Sequence, residues 1–78
     1  MLATAVESTT LSTVAYDGAA EVLRLEFRSG AAYCYFGVPP CVYEDLMAAD
    51  SKGFYFNRKI RGRFPYQKLA DAGGQPQP

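Results

Sequence analysis

Cationic and aromatic side chains alternate along the C-terminal part of this 78-residue sequence, and these residue types suit the binding of nucleic acid. No acidic side chain occurs between residues 51 and 70. The candidate phosphate-binding cations are Lys52, Arg58, Lys59, Arg61 and Arg63, and the candidate stacking rings are Tyr55, Phe64 and Tyr66. Proteins that bind single strands use cations to replace condensed counterions and aromatic faces on which bases stack. The segment therefore predicts contact with RNA or another single-stranded nucleic acid.

The charge distribution supports an anionic partner but leaves an alternative open. Residues 1–50 carry two basic and seven acidic side chains, whereas residues 51–78 carry six basic and one acidic, so the formal charges are −5 and +5. Such asymmetry within a neutral chain favours an anionic partner at the basic end. In the alternative, the acidic half neutralises the basic end, the aromatic residues belong to the core, and the partner is a protein.

The composition argues against catalysis. The chain has no histidine, which removes the commonest general base and the commonest metal ligand. Two cysteines, Cys34 and Cys41, are too few for a closed zinc site or a disulfide-rich scaffold. Glu44 and Asp45 are adjacent on a predicted helix and point in different directions. We therefore expect a non-enzymatic domain without metal or cofactor.

The N-terminal residues do not resemble a signal peptide, because no basic residue precedes the short apolar stretch that ends at Glu7. The longest uncharged run, residues 29–43, contains two glycines and two prolines and does not fit a membrane helix. These features predict a cytoplasmic protein without a membrane partner. The oligomeric state is left open.

Alternating apolar residues predict a small antiparallel sheet. Strands are expected over residues 11–17 and 21–28, with Leu23, Leu25 and Phe27 on one face of the second. A third strand follows the turn at residues 28–30, and its register decides where Tyr33 and Tyr35 point. A three-residue turn closed by Gly30 pairs Leu25 with Tyr33 and directs both tyrosines to the core side. A two-residue turn would instead make the tyrosines a surface platform.

Two short helices are expected after the sheet, over residues 41–49 and 54–61. Phe56 and Ile60 form an apolar pair one helical turn apart. Ser51 is the expected N-cap and Gly53 a tight turn, although backbone N–H groups there could also hold a phosphate. The Asn57 amide is expected to satisfy nearby backbone groups.

Two ordered motifs, YCYFGVP at residues 33–39 and SKGFYFNRKIRGRFPY at residues 51–66, resemble the KTSC domain. This small module is named for the C-terminal domain of some lysyl-tRNA synthetases and also occurs as separate bacterial proteins. The resemblance covers about residues 6–69. It implies a fold and suggests an association with RNA, but it implies no chemistry.

The sequence thus predicts one α+β domain over residues 1–69 and a disordered tail over residues 70–78. The expected architecture is a three-stranded antiparallel meander packed on one face by two short helices. The expected function is nucleic-acid binding, with a protein-interaction module as the alternative.

Overall fold

The computed structural model describes residues 3–70, which form five strands and two helices. The elements are β1 (Ala3–Ala5), β2 (Leu11–Asp17), β3 (Val22–Phe27), β4 (Ala32–Phe36), α1 (Pro40–Ala48), α2 (Lys52–Lys59) and β5 (Tyr66–Ala70). Neither helix is long and apolar enough to span a membrane.

The sheet has five antiparallel strands in the order β1-β2-β3-β4-β5, so the prediction of three strands is wrong although the α+β class is confirmed. The two additional strands lie at the edges, and all their residues are exposed. An edge strand needs only backbone hydrogen bonds on one side and no buried face, so neither strand produces apolar alternation. β5 also includes Ala70, the first residue of the predicted tail, whereas residues 71–78 lie outside the described part of the chain.

The three-residue turn between β3 and β4 is confirmed. The N–H of Phe27 donates to the Ala31 carbonyl at 2.8 Å, and Gly30 has φ of +102°. This left-handed conformation favours glycine because it has no Cβ. Leu25 lies opposite Tyr33, and Leu23 lies opposite Tyr35. Both tyrosines therefore face the helices, as predicted.

The core lies between this face of the sheet and the two helices. Its fully buried side chains are Leu11, Leu23, Leu25, Leu46, Ile60, Val14 and Val38. Tyr16 links the sheet to α1 and to the residues before it. Its ring stacks on that of Tyr43 with 4.6 Å between the ring centroids, and its hydroxyl donates to the Val38 carbonyl at 2.6 Å. Neither α1 nor α2 packs on the opposite face of the sheet, which carries Arg24 and Glu26, and these two side chains form an ion pair.

Helix α2 begins at Lys52, two residues earlier than predicted, because the residue directly after the N-cap Ser51 is already helical. The Phe54 N–H donates to the Ser51 hydroxyl at 3.2 Å, which confirms Ser51 as the N-cap. Gly53 lies within α2 rather than in a tight turn, and this prediction is corrected. A Cβ at Gly53 would come within 2.8 Å of the Thr10 Cβ, so glycine permits the close approach of α2 to the residues before β2. The helix ends before Gly62, which has φ of +76°.

Candidate functional site

The most distinctive feature of the surface is a groove of about 410 Å³ between β4, β5 and α2, which we call the aromatic groove. Five aromatic rings line it, contributed by Phe27, Tyr33, Tyr35, Phe56 and Tyr66. Its polar lining includes Thr10, Ser29, Asn57 and Arg61. The edge strand β5, which extends the sheet beyond β4, contributes Tyr66 to one side of the groove.

The three tyrosines form one cluster of rings in mutual contact. The Tyr66 ring centroid lies 5.5 Å from that of Tyr33 and 5.7 Å from that of Tyr35, and the Tyr33 and Tyr35 centroids are 6.2 Å apart. These separations are typical of directly packed aromatic pairs. Tyr35 is only 4% exposed, whereas Tyr66 is 59% exposed. The cluster therefore runs from the core to the surface, and Tyr66 is its accessible end.

The hydroxyl of Tyr35 lies in a poorly solvated environment. Burial, followed by the neighbouring Tyr33 and Tyr66, raises the pKa of Tyr35 to about 12, while Arg61 acts in the opposite direction. Desolvation disfavours the charged phenolate, as does the proximity of two further phenols. Tyr35 is therefore protonated at physiological pH and keeps a hydroxyl that can donate a hydrogen bond.

Asn57 and Arg61 form the polar flank of the aromatic groove on the α2 side. They are one helical turn apart, and Arg61 Nη1 donates to Asn57 Oδ1 at 3.4 Å. The prediction that the Asn57 amide satisfies backbone groups is not met among the described residues, because its hydrogen bond goes to a side chain. Arg61 follows α2, and its backbone N–H donates to the Phe56 carbonyl at 2.9 Å. This bond fixes the start of the arginine side chain beside the groove.

A second aromatic and cationic pair lies on the outward face of α2. Phe54 is 62% exposed, and the Arg58 guanidinium carbon lies 5.2 Å from its ring centroid. This is the geometry of a cation–π contact. Arg63 Nε donates to the Arg58 carbonyl at 3.0 Å, which keeps a second guanidinium near the same surface.

The other predicted site residues lie elsewhere. Lys52 Nζ donates to the Ala49 carbonyl at 3.1 Å, at the end of α1. Tyr55 packs against the core, and burial, followed by Asp45 and Cys41, raises its pKa, so it lies towards α1. Phe64 is also partly buried against the core. Lys59 is exposed on α2. The predicted residues thus do not form one continuous surface.

An ion pair between the acidic half and Lys52, Arg58, Lys59, Arg61 or Arg63 is not found among residues 3–70. There, the ion pair between Arg24 and Glu26 involves neither the C-terminal cations nor the acidic residues of α1. No carboxylate in this part of the chain lies within ion-pair distance of Lys52, Arg58, Lys59, Arg61 or Arg63. Within residues 3–70, the contacts of Lys52, Arg58, Arg61 and Arg63 are with carbonyl oxygens, an amide oxygen and an aromatic ring.

Sequence reasoning missed two aromatic residues of this region. Phe27 lines the aromatic groove, and the predicted register already placed it on the same face as Tyr33. Phe54 was omitted from the stacking candidates, although its spacing of four residues from Arg58 indicates a shared helix face. Both could have been found from spacing alone.

The fold and the groove define a class of small α+β domains in which an antiparallel meander carries two helices on one face. The family model of the KTSC domain matches residues 7–64, and the chain belongs to this family. This confirms the resemblance seen in the two motifs.

The relatives include small proteins that consist almost entirely of this domain and a much larger enzyme that contains a matching segment. A protein of Tsukamurella paurometabola is 44% identical over 59 residues, which are 76% of this chain and 88% of that protein. A lysine–tRNA ligase of Nostoc punctiforme is 42% identical over 64 residues, which are 82% of this chain but 11% of the ligase. The crystal structure of a KTSC domain protein from Yersinia pestis has a TM-score of 0.83 and 33% identity, covering 88% of this chain and 97% of that one.

Proposed function

We propose that this chain is a non-enzymatic module that binds single-stranded nucleic acid, RNA above all, through α2 and the segment that follows it. One observation carries the proposal. Two well-exposed aromatic rings, Phe54 and Tyr66, each lie on a surface with an arginine, and no carboxylate of residues 3–70 pairs with either arginine.

This arrangement meets the two physical requirements for binding a single strand. Arginine binds phosphate through parallel N–H groups and keeps its charge at all physiological pH values. An exposed aromatic face stacks a base whatever its identity, because every base has a π face. Arg58 and Lys59 on α2, with Arg61 and Arg63 in the segment after it, supply the four phosphate contacts. Phe54 and Tyr66 supply the stacking surfaces. Tyr55 and Phe64 support the surface from within the core.

The relatives add support for RNA over DNA. The Nostoc punctiforme relative is a ligase named for tRNA, and a segment of that enzyme matches most of this chain. A module that occurs both within such an enzyme and as a separate small protein suits a role on RNA. The cytoplasmic location predicted from the sequence belongs to the same proposal.

Fluorescence anisotropy with labelled single-stranded RNA and DNA, at several salt concentrations, tests the proposal. We expect a dissociation constant of about 10⁻⁴–10⁻⁶ M near physiological salt. With about four phosphate contacts, the logarithm of the association constant should fall with the logarithm of salt concentration with a slope of about −3. Arg58→Gln should weaken binding for all sequences and reduce this slope by about 0.7.

Arg24→Gln is the matched control, because it removes the same charge from the helix-free face of the sheet. It should leave the affinity within about twofold of the wild-type value, since Arg24 pairs with Glu26 away from the site. Absence of binding at low salt, where electrostatic attraction is strongest, would overturn the proposal. Equal losses in the two variants would show attraction by net charge without a defined surface.

A protein-interaction module is the second candidate, and the edge strand β5 favours it. All five residues of β5 are exposed, and an exposed edge can pair with a strand of another chain. Such an interface depends on backbone hydrogen bonds and apolar contact, so its affinity should depend only weakly on salt. This candidate gains if the anisotropy experiment shows no binding to either nucleic acid.

A further inference from the structure

We infer that the aromatic groove is a nucleotide pocket, in which Tyr66 stacks one unstacked base and Arg61 binds its phosphate. This inference rests on the proposed function, because a bound single strand would supply the nucleotide. A free mononucleotide has the same chemistry, and the experiment below separates the two sources.

The dimensions of the groove suit a ligand of this size. Its volume of about 410 Å³ lies within the range of roughly 300–1,000 Å³ that is typical of small-molecule sites. It is lined mainly by aromatic residues, with a few polar side chains among them, which is also typical of such sites. A single nucleotide has a planar apolar part and a charged part, and the groove offers a matching surface for each.

The ring geometry determines where the base lies. The centroid of Tyr66 is 5.5 Å from that of Tyr33 and 5.7 Å from that of Tyr35, so these rings are in contact and leave no space for a planar ligand between them. The most accessible ring of the groove is that of Tyr66, which is 59% exposed, whereas Phe27 and Tyr33 are only partly exposed. A base therefore stacks on Tyr66 from the open side of the groove. Tyr33 and Tyr35 hold that ring in place from behind.

The charge of the groove determines the class of ligand. Among the described residues that line it there is no carboxylate, and Arg61 is the only cation. Asn57 accepts one hydrogen bond from Arg61 through Oδ1, which leaves its amide N–H groups to face a base edge or a phosphate oxygen. The lining thus combines a stacking surface with donors for an anion.

A proline-rich peptide is the strongest competing ligand, because such peptides also dock in grooves lined by aromatic residues. A neutral peptide of this kind offers the Arg61 guanidinium carbonyl oxygens but no anionic group. The aromatic groove places this cation beside the rings without a carboxylate partner, and this favours the nucleotide.

NMR titration of the full-length ¹⁵N-labelled protein tests the inference with adenosine 5′-monophosphate, adenosine and ribose 5-phosphate. We expect adenosine 5′-monophosphate to shift the amide signals of Asn57, Arg61 and Tyr66 and to bind most tightly. Tyr66→Ala should lower its affinity about tenfold or more through the lost stacking surface, whereas Tyr66→Phe should retain it. Phe36→Ala removes another partly exposed ring, on the opposite face of the sheet, and should change nothing.

Arg61→Gln separates the phosphate contact from stacking. It should lower the affinity for adenosine 5′-monophosphate about fivefold and leave the affinity for adenosine unchanged, because adenosine lacks the phosphate. Equal losses for both ligands would overturn the assignment of the phosphate to Arg61. The dispersion of the NMR spectrum verifies that each variant is folded.

The failure of this inference can be told apart from the failure of the proposed function. If RNA binds and Arg58→Gln weakens it, but neither Tyr66→Ala nor the mononucleotide has an effect, the pocket is refuted. RNA binding through Arg58 and Phe54 on α2 then still stands. If the mononucleotide binds in the groove but no oligonucleotide binds, the pocket stands as a site for free nucleotides. Shifts of the same signals by a proline-rich decapeptide, without a response to the mononucleotide, would overturn the inference in favour of a peptide site.

Discussion

The inner face of the sheet has two regions that differ in what covers them. Over β2 and β3 the helices bury aliphatic residues completely, and Leu23 and Leu25 have no exposed surface. Over β4 and β5 the same face carries tyrosines, from the buried Tyr35 to the exposed Tyr66. Tyrosine suits a boundary of this kind, because its ring packs while its hydroxyl reaches water. The comparison indicates that the first region supplies the fully buried core, whereas the second brings an aromatic ring to the surface, where we propose that binding takes place.

The largest expected effect is in the region over β2 and β3 that the helices bury, which we call the covered region. Leu25→Ala should lower the free energy of unfolding by about 2–5 kcal/mol, because it leaves a cavity beneath the helices. Urea unfolding followed by circular dichroism measures the loss. Leu69→Ala is the matched control on β5, where the side chain is 44% exposed, and it should cost less than about 1 kcal/mol. Similar losses for the two variants would mean that β5 belongs to the core and that the two regions do not differ.

The contact between α2 and the residues before β2 provides the next test. Gly53→Ala brings a Cβ within 2.8 Å of the Thr10 Cβ, so α2 and the segment at Thr10 must move apart. We expect a loss of about 2 kcal/mol by urea unfolding, since the clash outweighs the better helix propensity of alanine. Gly18→Ala is the control, because its Cβ would make only an ordinary contact with Tyr16 at 3.6 Å. A neutral Gly53→Ala would show that the covered region tolerates movement of its helix.

Tyr35 lies at the boundary between the two regions, and its ionisation reports on that position. Its pKa is about 12 in the folded chain, mainly through burial, and about 10 when the chain is unfolded. The unfolded state therefore loses this proton at lower pH than the folded state does. The contribution of the Tyr35 hydroxyl to stability is fully present below about pH 10 and is lost as the pH rises to about 12. We expect the free energy of unfolding to fall by about 2 kcal/mol in this window. Tyr35→Phe should show a smaller fall, and an identical fall would mean that the hydroxyl is solvated.

The covered region could be predicted from the sequence, whereas the edge strand β5 could not. The alternation of Leu23, Leu25 and Phe27 and the glycine at position 30 are sufficient to set the register, because one wrong step would expose every large apolar side chain. β5 has no such constraint, since all its residues are exposed and its pairing depends on backbone hydrogen bonds. Arg61 and Tyr66 were therefore identified individually, but their meeting across the aromatic groove depends on a strand that leaves no local pattern.

Tyr66→Ala is expected to have the smallest effect on stability and is the sharpest test of the comparison. The side chain is 59% exposed, so its removal forfeits ring contacts with Tyr33 and Tyr35 but creates no enclosed cavity. We expect a loss below about 1 kcal/mol by urea unfolding, together with the tenfold loss of nucleotide affinity described above. A loss as large as that of Leu25→Ala would place Tyr66 in the core and end the distinction between the regions. A small loss of stability with a large loss of affinity would mean that Tyr66 is retained for what it contacts outside the molecule, because its contribution inside is too small to require a tyrosine.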